Sequence, residues 1–242
     1  MSLTPLDSKP FPMTAFFLPV LAYFLGSIPV GLVAGKLKGI DIRQHGSGNI
    51  GATNAFRVLG KGTGILVFLS DFAKGFVPVL LAISLVQFKG MDQTMVIPAL
   101  GKFASELDQF SAQLIQVLTG LCAILGHNFP VWLKFKGGKG IATTAGALCA
   151  LMPVGILVLI IIWAITFGIS KYVSLASIVA ALSLPLVTIY GSWRHGKLAD
   201  GTWNKPLFIL SIVMALLAVW RHRSNIQRLR AGTENRAFSK KS

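Results

Sequence analysis

The apolar stretch at residues 143–169 reads TTAGALCALMPVGILVLIIIWAITFGI, and the way it divides decides the fold. A transmembrane helix needs about 20 mainly apolar residues, so this stretch is too long for one comfortable span. The dipeptide Met152-Pro153, with Gly155 close behind, interrupts it, and a Pro with a nearby Gly is a helix-breaking signal. The sequence therefore predicts a short helix over 141–152 and a longer one over 154–170.

Other apolar stretches lie on both sides of this pair, and 53% of the 242 residues are hydrophobic while 13% are charged. That balance lies outside the usual range for a soluble domain. The predicted spans are 14–35, 64–88, 112–133, 141–152, 154–170, 172–190 and 206–220. We expect an all-α, polytopic integral membrane protein with about seven transmembrane helices, some of them short, in a single domain over 1–242.

The basic residues support seven helices and set their orientation. With the N-terminus outside and the C-terminus cytoplasmic, 16 of the 23 Lys and Arg residues fall in inner segments, six fall outside and Lys74 lies within a span. Cytoplasmic loops of membrane proteins carry such an excess of basic residues. A six-helix chain would place one basic cluster outside. The net charge of +15 thus indicates membrane orientation rather than a nucleic-acid partner.

The inner loop after the first span reads DIRQHGSGNIGATNAFR at residues 41–57. Glycines allow the backbone to approach a ligand closely and to point successive N–H groups at an anion. Neutral side-chain donors and a forked guanidinium suited to phosphate accompany them. The candidate phosphate-binding residues here are Gly46, Ser47, Gly48, Asn49, Gly51, Asn54 and Arg57.

A second inner loop reads GHNFPVWLKFKGGKGIATT at residues 126–144. It differs from a nucleotide-binding Walker A loop because Gly, not Ser or Thr, follows Lys139, and no strand precedes it. A glycine turn that leads into a helix still favours phosphate through the helix N-terminus. We expect Lys139 to supply a point charge, with Gly137, Gly138 and Gly140 around it.

Three further pairs of polar residues lie on helices. Asp71 and Lys74 share one face of the second span, where they could act on a ligand or simply orient the glycine-rich loop. Ser174 and Ser177 share the first turn of the sixth span, where serine is often only a cap. If the last helix continues past its apolar part, His222 and Asn225 face the same way.

All of these clusters fall on one predicted side of the membrane, which indicates a site for a phosphorylated ligand with a lipid-soluble part. A transporter for an organic phosphate is the main alternative, although a transport pathway would need polar positions on both sides of the midplane. A nucleic-acid tether that uses the basic tail would rest on charge alone.

At these residues the sequence resembles the bacterial acylphosphate:glycerol-3-phosphate acyltransferase family, over nearly the whole chain. The motifs that carry the resemblance are GSIP at 26–29, GSGNIGATN at 46–54, Asp71 with Lys74-Gly75, GH at 126–127, KGGKG at 136–140, and His222 and Asn225 with GTE at 232–234. So many separate motifs in the same order make a chance similarity very improbable.

The resemblance implies a seven-helix enzyme of the bacterial plasma membrane with its active site at the cytoplasmic face. It implies acyl transfer from acyl phosphate to the sn-1 hydroxyl of glycerol 3-phosphate, which gives lysophosphatidic acid and phosphate in the first committed step of phospholipid synthesis. No metal or cofactor is implied. The expected partners are the two substrates, membrane lipid and the enzyme that supplies acyl phosphate, and the resemblance is compatible with a monomer.

The resemblance also assigns roles to single residues. Ser47, Arg57, Lys139, His222 and Asn225 are the expected catalytic residues, and Ser177 joins the glycines, Asn49 and Asn54 as a substrate-binding residue, with Ser174 as the alternative. Either His222 or the departing phosphate could accept the proton of the attacking hydroxyl. The segments 89–111 and 193–205 appear as extensions relative to the compact form of the family.

Overall fold

A computed structural model describes residues 13–237 of the chain. Its α-helices are α1 (Met13–Gly26), α2 (Val30–Leu37), α3 (Ala52–Val58), α4 (Lys61–Leu85), α5 (Gln109–Asn128), α6 (Ile141–Leu151), α7 (Pro153–Ser170), α8 (Val173–Arg194), α9 (Lys205–Arg221) and α10 (Arg223–Arg230). Short 3-10 turns cover Ile42–Gln44, Pro98–Phe103 and Val131–Leu133. The predicted all-α membrane fold is confirmed.

Among the described residues, five helical segments are long and apolar enough to cross a membrane. They are Phe16–Leu37, Lys61–Leu85, Gln109–Leu133, Pro153–Ser170 and Val173–Arg194. Helices α9 and α10 reach that length only as a pair, and α6 has 11 residues. At 1.5 Å per residue α6 extends for about 16 Å, which is half of a bilayer core of about 30 Å. The count of seven spans and the orientation of the termini therefore remain predictions.

The long apolar run is broken at the residues that the sequence indicates. Helix α6 ends at Leu151, and α7 begins at Pro153. Between them Met152 has φ −150° and ψ 69°, which takes the chain out of the helical region. Proline is well suited to the first position of a helix because that position needs no N–H donor. The break thus ends one helix and starts the next.

Glycines bring the helices that carry the site into close contact. A Cβ on Gly26 would lie 2.1 Å from the Ala123 carbonyl oxygen, and a Cβ on Gly126 would lie 2.1 Å from that of Tyr23. Helix α1 therefore packs directly on α5. Small residues at helix interfaces allow this approach, and in lipid such packing is a main source of association. Helix α4 meets α6 in the same way, since a Cβ on Gly75 would overlap the backbone of Thr143.

The longer predicted outer segments have modest regular structure. After α4 the strand β1 (Val86–Gln87) pairs in parallel with β2 (Ser105–Glu106), and a 3-10 turn lies between them. In the second outer segment, residues 193–205, α8 continues to Arg194. The Thr202 carbonyl accepts a hydrogen bond from the Gln109 side chain over 2.8 Å. Three of the basic residues counted above, Lys9, Lys240 and Lys241, lie outside the described residues.

Candidate functional site

A cavity of about 440 Å³ lies where three separated segments meet. The turn after α2, the loop before α6 and the junction of α9 with α10 all contribute to its wall. Six cationic side chains line it, and its lining contains no carboxylate from the described part of the chain. The six are Arg43, Lys136, Lys139, Arg221, Arg223 and Arg228. Arg43 pairs with Asp41 and Arg228 with Glu234 outside the lining, but positive charge remains in excess. A concave site with such an excess concentrates ligands of the opposite sign, so the cavity suits anions.

The first glycine-rich turn is held together by the side chain of Asn54, which is 1% exposed. Its amide nitrogen donates to the carbonyls of Ile42 at 3.1 Å and His45 at 3.0 Å, and its oxygen accepts from the Ser47 N–H at 2.9 Å. A Cβ on Gly46 would lie 2.3 Å from that same oxygen, and Gly46 has φ +62°. Asn54 thus positions the turn and has no group left for a phosphate.

Three N–H groups of this turn have acceptors within it. Besides Ser47, the Gly48 N–H donates to the His45 carbonyl over 3.1 Å and the Gly51 N–H donates to the Asn49 side chain over 2.8 Å. Half of the expected N–H donors at residues 46–51 are therefore used by the turn itself, while those of Gly46, Asn49 and Ile50 have no acceptor among the described residues. Ser47, Gly48 and Asn49 nevertheless line the cavity, and the exposed Ser47 hydroxyl is a donor that the turn does not use.

The second glycine loop is also closed on its own backbone. The N–H groups of Gly137 and Gly138 donate to the carbonyls of Asn128 and His127, over 3.1 and 3.0 Å, and so cap the end of α5. A Cβ on Gly138 would lie 2.0 Å from Nε2 of His127. These glycines are required for close packing, and their N–H groups are not available to a phosphate. Gly140, at φ +77°, starts α6.

The carbonyls of the same two glycines are held by Arg221. Its Nη2 donates to the Gly137 oxygen at 2.8 Å and to the Gly138 oxygen at 2.5 Å, and its Nε lies 3.1 Å from the Gly138 oxygen. The guanidinium also packs over the rings of Phe129 and Trp220. Arg221 therefore fastens the end of α9 to the loop that carries Lys139.

Lys139 begins a chain of buried polar contacts below the cavity. Its Nζ donates to Oδ1 of Asn225 at 2.5 Å, and the Asn225 amide donates to Glu234 at 2.6 Å. Glu234 also accepts from the Ser174 hydroxyl at 2.7 Å and from Arg228 Nε at 2.7 Å. These bonds link the loop before α6 to α8, α10 and the C-terminal segment, and they fix the position of the lysine.

The two serines of α8 have different surroundings. Ser174 joins this chain through Glu234, whereas the Ser177 hydroxyl donates to the Val173 carbonyl at 2.8 Å and accepts from the Trp163 indole at 3.2 Å. Neither serine lines the cavity. The structure brings Ser174, rather than the preferred Ser177, into contact with the residues around Lys139.

The expectation that one continuous helix carries His222 and Asn225 is wrong. Helices α9 and α10 meet at His222 with a bend of 57°. His222, 2% exposed, places Nδ1 at 2.8 Å from the Ala218 carbonyl, while Asn225 faces Lys139. The bend follows from this geometry, because the imidazole bonds back to the preceding turn while α10 is held by Glu234.

Burial shifts the ionisation of two residues of the site. Desolvation lowers the pKa of Lys139 to about 8, with Glu234 opposing and neighbouring arginines adding to the shift. Desolvation, with the charge of Lys139, lowers the pKa of His222 to about 4. At neutral pH the lysine is therefore mostly charged and the histidine neutral. Because a carbonyl can only accept, Nδ1 of His222 carries the proton and Nε2 is left as an acceptor.

A second buried group of ions lies beside the glycine loop. Lys74 Nζ is 2.8 Å from Asp71 Oδ1 and also donates to the Ile28 carbonyl at the break between α1 and α2. His127 Nδ1 is 3.5 Å from the same Asp71 oxygen. The His127 carbonyl accepts from the Gly138 N–H, so Asp71 and Lys74 connect to the second glycine loop through His127, which favours an orienting role over a direct action on a ligand.

Arg57 is exposed on α3 and does not line the cavity. Its positive charge still helps to lower the pKa of Lys139, although burial and the charges of nearer residues have larger effects.

Five other cations of the cavity and Glu234 had no assigned role in the sequence analysis. The RHRSNIQRLR run at 221–230 is the signal that could have indicated several of them. Within the described range no group of three His, Cys, Asp or Glu side chains could hold a metal ion.

Several known proteins are similar to this chain in sequence. Residues 16–232 match the model of the family described as glycerol-3-phosphate acyltransferase. The chain is 40% identical to a glycerol-3-phosphate acyltransferase of Chlorobium luteolum, over 93% of this chain and 97% of that one. It is 41% identical to one of Aquifex aeolicus, over 93% of this chain and 100% of the other.

Two solved structures have the same fold. One is a crystal structure of PlsY, described as an integral membrane glycerol 3-phosphate acyltransferase in its glycerol 3-phosphate form, with a TM-score of 0.73 and 39% identity over 93% of this chain and 96% of that one. The lysophosphatidic acid form has a TM-score of 0.70 and 39% identity over 92% and 95% of the two chains. On this sequence and structural similarity, the chain belongs to the glycerol-3-phosphate acyltransferase family.

Proposed function

We propose that this protein transfers a fatty acyl group from acyl phosphate to the sn-1 hydroxyl of glycerol 3-phosphate, which yields lysophosphatidic acid and phosphate. The observation that carries the proposal is the cavity lined by six cations and no described carboxylate, at one end of an apolar helical bundle. Such a cavity can neutralise two phosphate groups at once. The acyl chain of one ligand can then remain in the bilayer.

The donor is an activated mixed anhydride, so the enzyme does not need a covalent intermediate. The glycerol hydroxyl oxygen forms a bond to the acyl carbon, the bond from that carbon to the phosphate oxygen breaks, and phosphate departs with the bonding electron pair. Positioning of the two ligands and stabilisation of the developing charge supply the rate enhancement. Lys139, held by Asn225 at 2.5 Å, is the cation placed to stabilise that charge.

The first glycine-rich turn contributes through its side chains. Ser47 lines the cavity and offers its hydroxyl to a phosphate oxygen, while Asn54 and Asn49 keep the turn in shape. Arg57 adds positive charge from outside the lining. The glycines of the two loops allow neighbouring segments of the chain to pack closely, since most of their N–H groups already have acceptors. They are Gly46, Gly48, Gly51, Gly137, Gly138 and Gly140.

We assign the proton of the attacking hydroxyl to the departing phosphate. A histidine with a pKa of about 4 is a weak base at neutral pH, and general bases work best when their pKa lies near the working pH. His222 is 2% exposed and does not line the cavity, so in this proposal it positions the junction of α9 and α10 rather than bonding to the attacking hydroxyl. A near-normal rate in His222→Ala would exclude it as an obligatory base, whereas a loss of about 10⁴-fold would restore that role.

The proposal includes a location and a supply of substrate. The site faces the cytoplasm from the bacterial inner membrane, where glycerol 3-phosphate is available in solution and acyl phosphate can enter from the bilayer. An enzyme that makes acyl phosphate supplies the donor. No cofactor is required, because the donor is already activated.

The test is acyl transfer by the purified protein in lipid, with acyl phosphate and radiolabelled glycerol 3-phosphate. Wild type is compared with Lys139→Ala, and Lys61→Ala is the matched control because Lys61 is exposed and lies outside the cavity lining. We expect lysophosphatidic acid from wild type and Lys61→Ala but a loss of about 100-fold or more in Lys139→Ala. Product formed with acyl-CoA but not with acyl phosphate would contradict acyl phosphate as the donor. The absence of product with either donor would overturn the enzyme proposal and favour transport.

A further inference from the structure

We infer that Arg221 is a positioning residue for Lys139, and that it does so by gripping the two glycine carbonyls that precede the lysine. The sequence analysis gave Arg221 no role, and a basic residue at the end of a membrane helix would ordinarily be read as an anchor at the lipid headgroups. Its contacts instead point inward, to the backbone of Gly137 and Gly138.

The geometry requires the guanidinium fork. Two nitrogens of Arg221 reach two successive carbonyls, with Nη2 at 2.8 Å from the Gly137 oxygen and Nε and Nη2 both on the Gly138 oxygen. A planar guanidinium presents its donors in a fixed arrangement, whereas an ammonium is a single point. The rings of Phe129 and Trp220, 5.2 and 5.6 Å from the Arg221 Cζ, fix the plane of the group.

The glycine pair is held from both sides. Its N–H groups bond to the end of α5, the His127 ring fills the space where a Cβ on Gly138 would lie, and its carbonyls bond to Arg221. Arg221 supplies the contact from α9, while the others come from α5. Because the N–H bonds and the carbonyl bonds hold the same two residues, loss of the Arg221 bonds removes a direct link to α9 and lets the pair open from α5 more often.

This position matters because Lys139 follows the pair directly and its side chain bonds to Asn225, four residues after Arg221. The segment 221–225 therefore holds the backbone before Lys139 through Arg221 and also bonds to the lysine ammonium group through Asn225. When the grip is lost, Lys139 can still be charged but its Nζ is no longer held at one place over the cavity. We expect the catalytic step to be slowed more than substrate binding is weakened.

The first experiment is hydrogen exchange on the purified protein in lipid, and it does not depend on the proposed function. We expect Arg221→Lys, which keeps the charge and loses the fork, to speed exchange of the Gly137 and Gly138 amides by about 10-fold or more, and to leave residues 46–54 unchanged. Arg230→Lys is the matched control, since Arg230 is exposed and lies outside the cavity lining. Unchanged exchange at the glycine pair would overturn the inference.

The second experiment rests on the proposed function and uses a double-mutant cycle for acyl transfer. Arg221→Lys should lower kcat by about 10-fold to 100-fold with a smaller change in KM, because misplacement of a catalytic group is costly. In a Lys139→Ala background, the same change should cost less than about 3-fold. An equal loss in both backgrounds would show that Arg221 acts as an independent cation or only as a structural residue.

A folding defect would not leave the inference undecided. Arg221→Gln is neutral and can still donate to one of the carbonyls, so it gives a second measure of exchange if the lysine variant is not obtained. We expect faster exchange of the glycine amides in that variant as well. A normal rate of exchange in a folded Arg221→Gln protein would contradict the inference, whatever the outcome of the activity assay.

Discussion

The turn at residues 46–54 and the loop at residues 137–140 both border the cavity, but different parts of the chain hold them. Asn54 and Asn49 close the first from within, through bonds that span two to twelve residues. The second depends on α5 and on Arg221, which lies more than eighty residues away. A locally closed turn tolerates changes elsewhere, whereas a loop closed by tertiary contacts also transmits them.

The largest effect is expected when the second loop is forced open. In Gly138→Ala the new Cβ would lie 2.0 Å from His127 Nε2, so the loop and Lys139 must shift. We expect a loss of activity of about 100-fold or more, since a displacement of about 1 Å can cost that much. Overpacking should also destabilise the protein by about 1–3 kcal/mol. Acyl transfer and thermal unfolding in lipid measure the two effects.

Gly62→Ala is the control for that change, because a Cβ at Gly62 would have no described atom within 4 Å apart from its chain neighbours and the backbone of its own helix. It should keep full activity and unfold at the same temperature or slightly higher, since Ala favours a helix over Gly. Equal activity in the two alanine variants would show that close packing on His127 does not position Lys139.

The next effect concerns the turn that closes on itself. Asn54→Ala removes three hydrogen bonds, and the Ser47 N–H loses its acceptor while the carbonyls of Ile42 and His45 keep only their backbone donors. We expect a loss of about 2–4 kcal/mol in the free energy of unfolding, and a fall in activity through misplacement of Ser47. Hydrogen exchange should rise at residues 46–54 and stay unchanged at Gly137 and Gly138. Faster exchange in both loops would mean that they are not independent.

The charge of Lys139 gives a pH test with a smaller effect. Burial lowers its pKa to about 8, and the charged form is the one we propose to be active, so kcat/KM should fall by about tenfold per pH unit above that value. Lys139→Arg should move this alkaline limb to higher pH because a guanidinium stays charged, even if the rate is lower. A wild-type profile that stays flat to pH 9.5 would contradict the assignment.

The smallest effect is expected at the edge of the first turn. Asn49→Ala removes one bond, in which its side chain accepts from the Gly51 N–H at 2.8 Å, and Asn49 is only partly buried. Water can replace that acceptor, so we expect about 0.5–1 kcal/mol in the free energy of unfolding and a change of a few-fold in activity. A loss as large as that of Asn54→Ala would show that Asn49 also meets the substrate.

Much of the candidate site could be predicted from the sequence, but most of the cations that line its cavity could not. Glycine spacing indicated where the backbone must turn, and both loops do reach the cavity. The same spacing suggested free N–H groups, but those of Ser47, Gly137 and Gly138 bond to Asn54 and to the end of α5. Which acceptor an N–H group finds depends on distant segments, and so does the set of cations that the fold gathers around the cavity.

The sequence by itself determined the membrane class, the apolar segments, the break at Pro153 and the family motifs, because hydropathy, proline geometry and residue identity are local properties. Only the tertiary structure decided that Ser174 rather than Ser177 meets Glu234, that the chain bends at His222, and that Arg221 grips the glycine loop. Each of these depends on which segments are brought together in space by helix packing. Spacing along one helix carries no information on the partner that another helix presents.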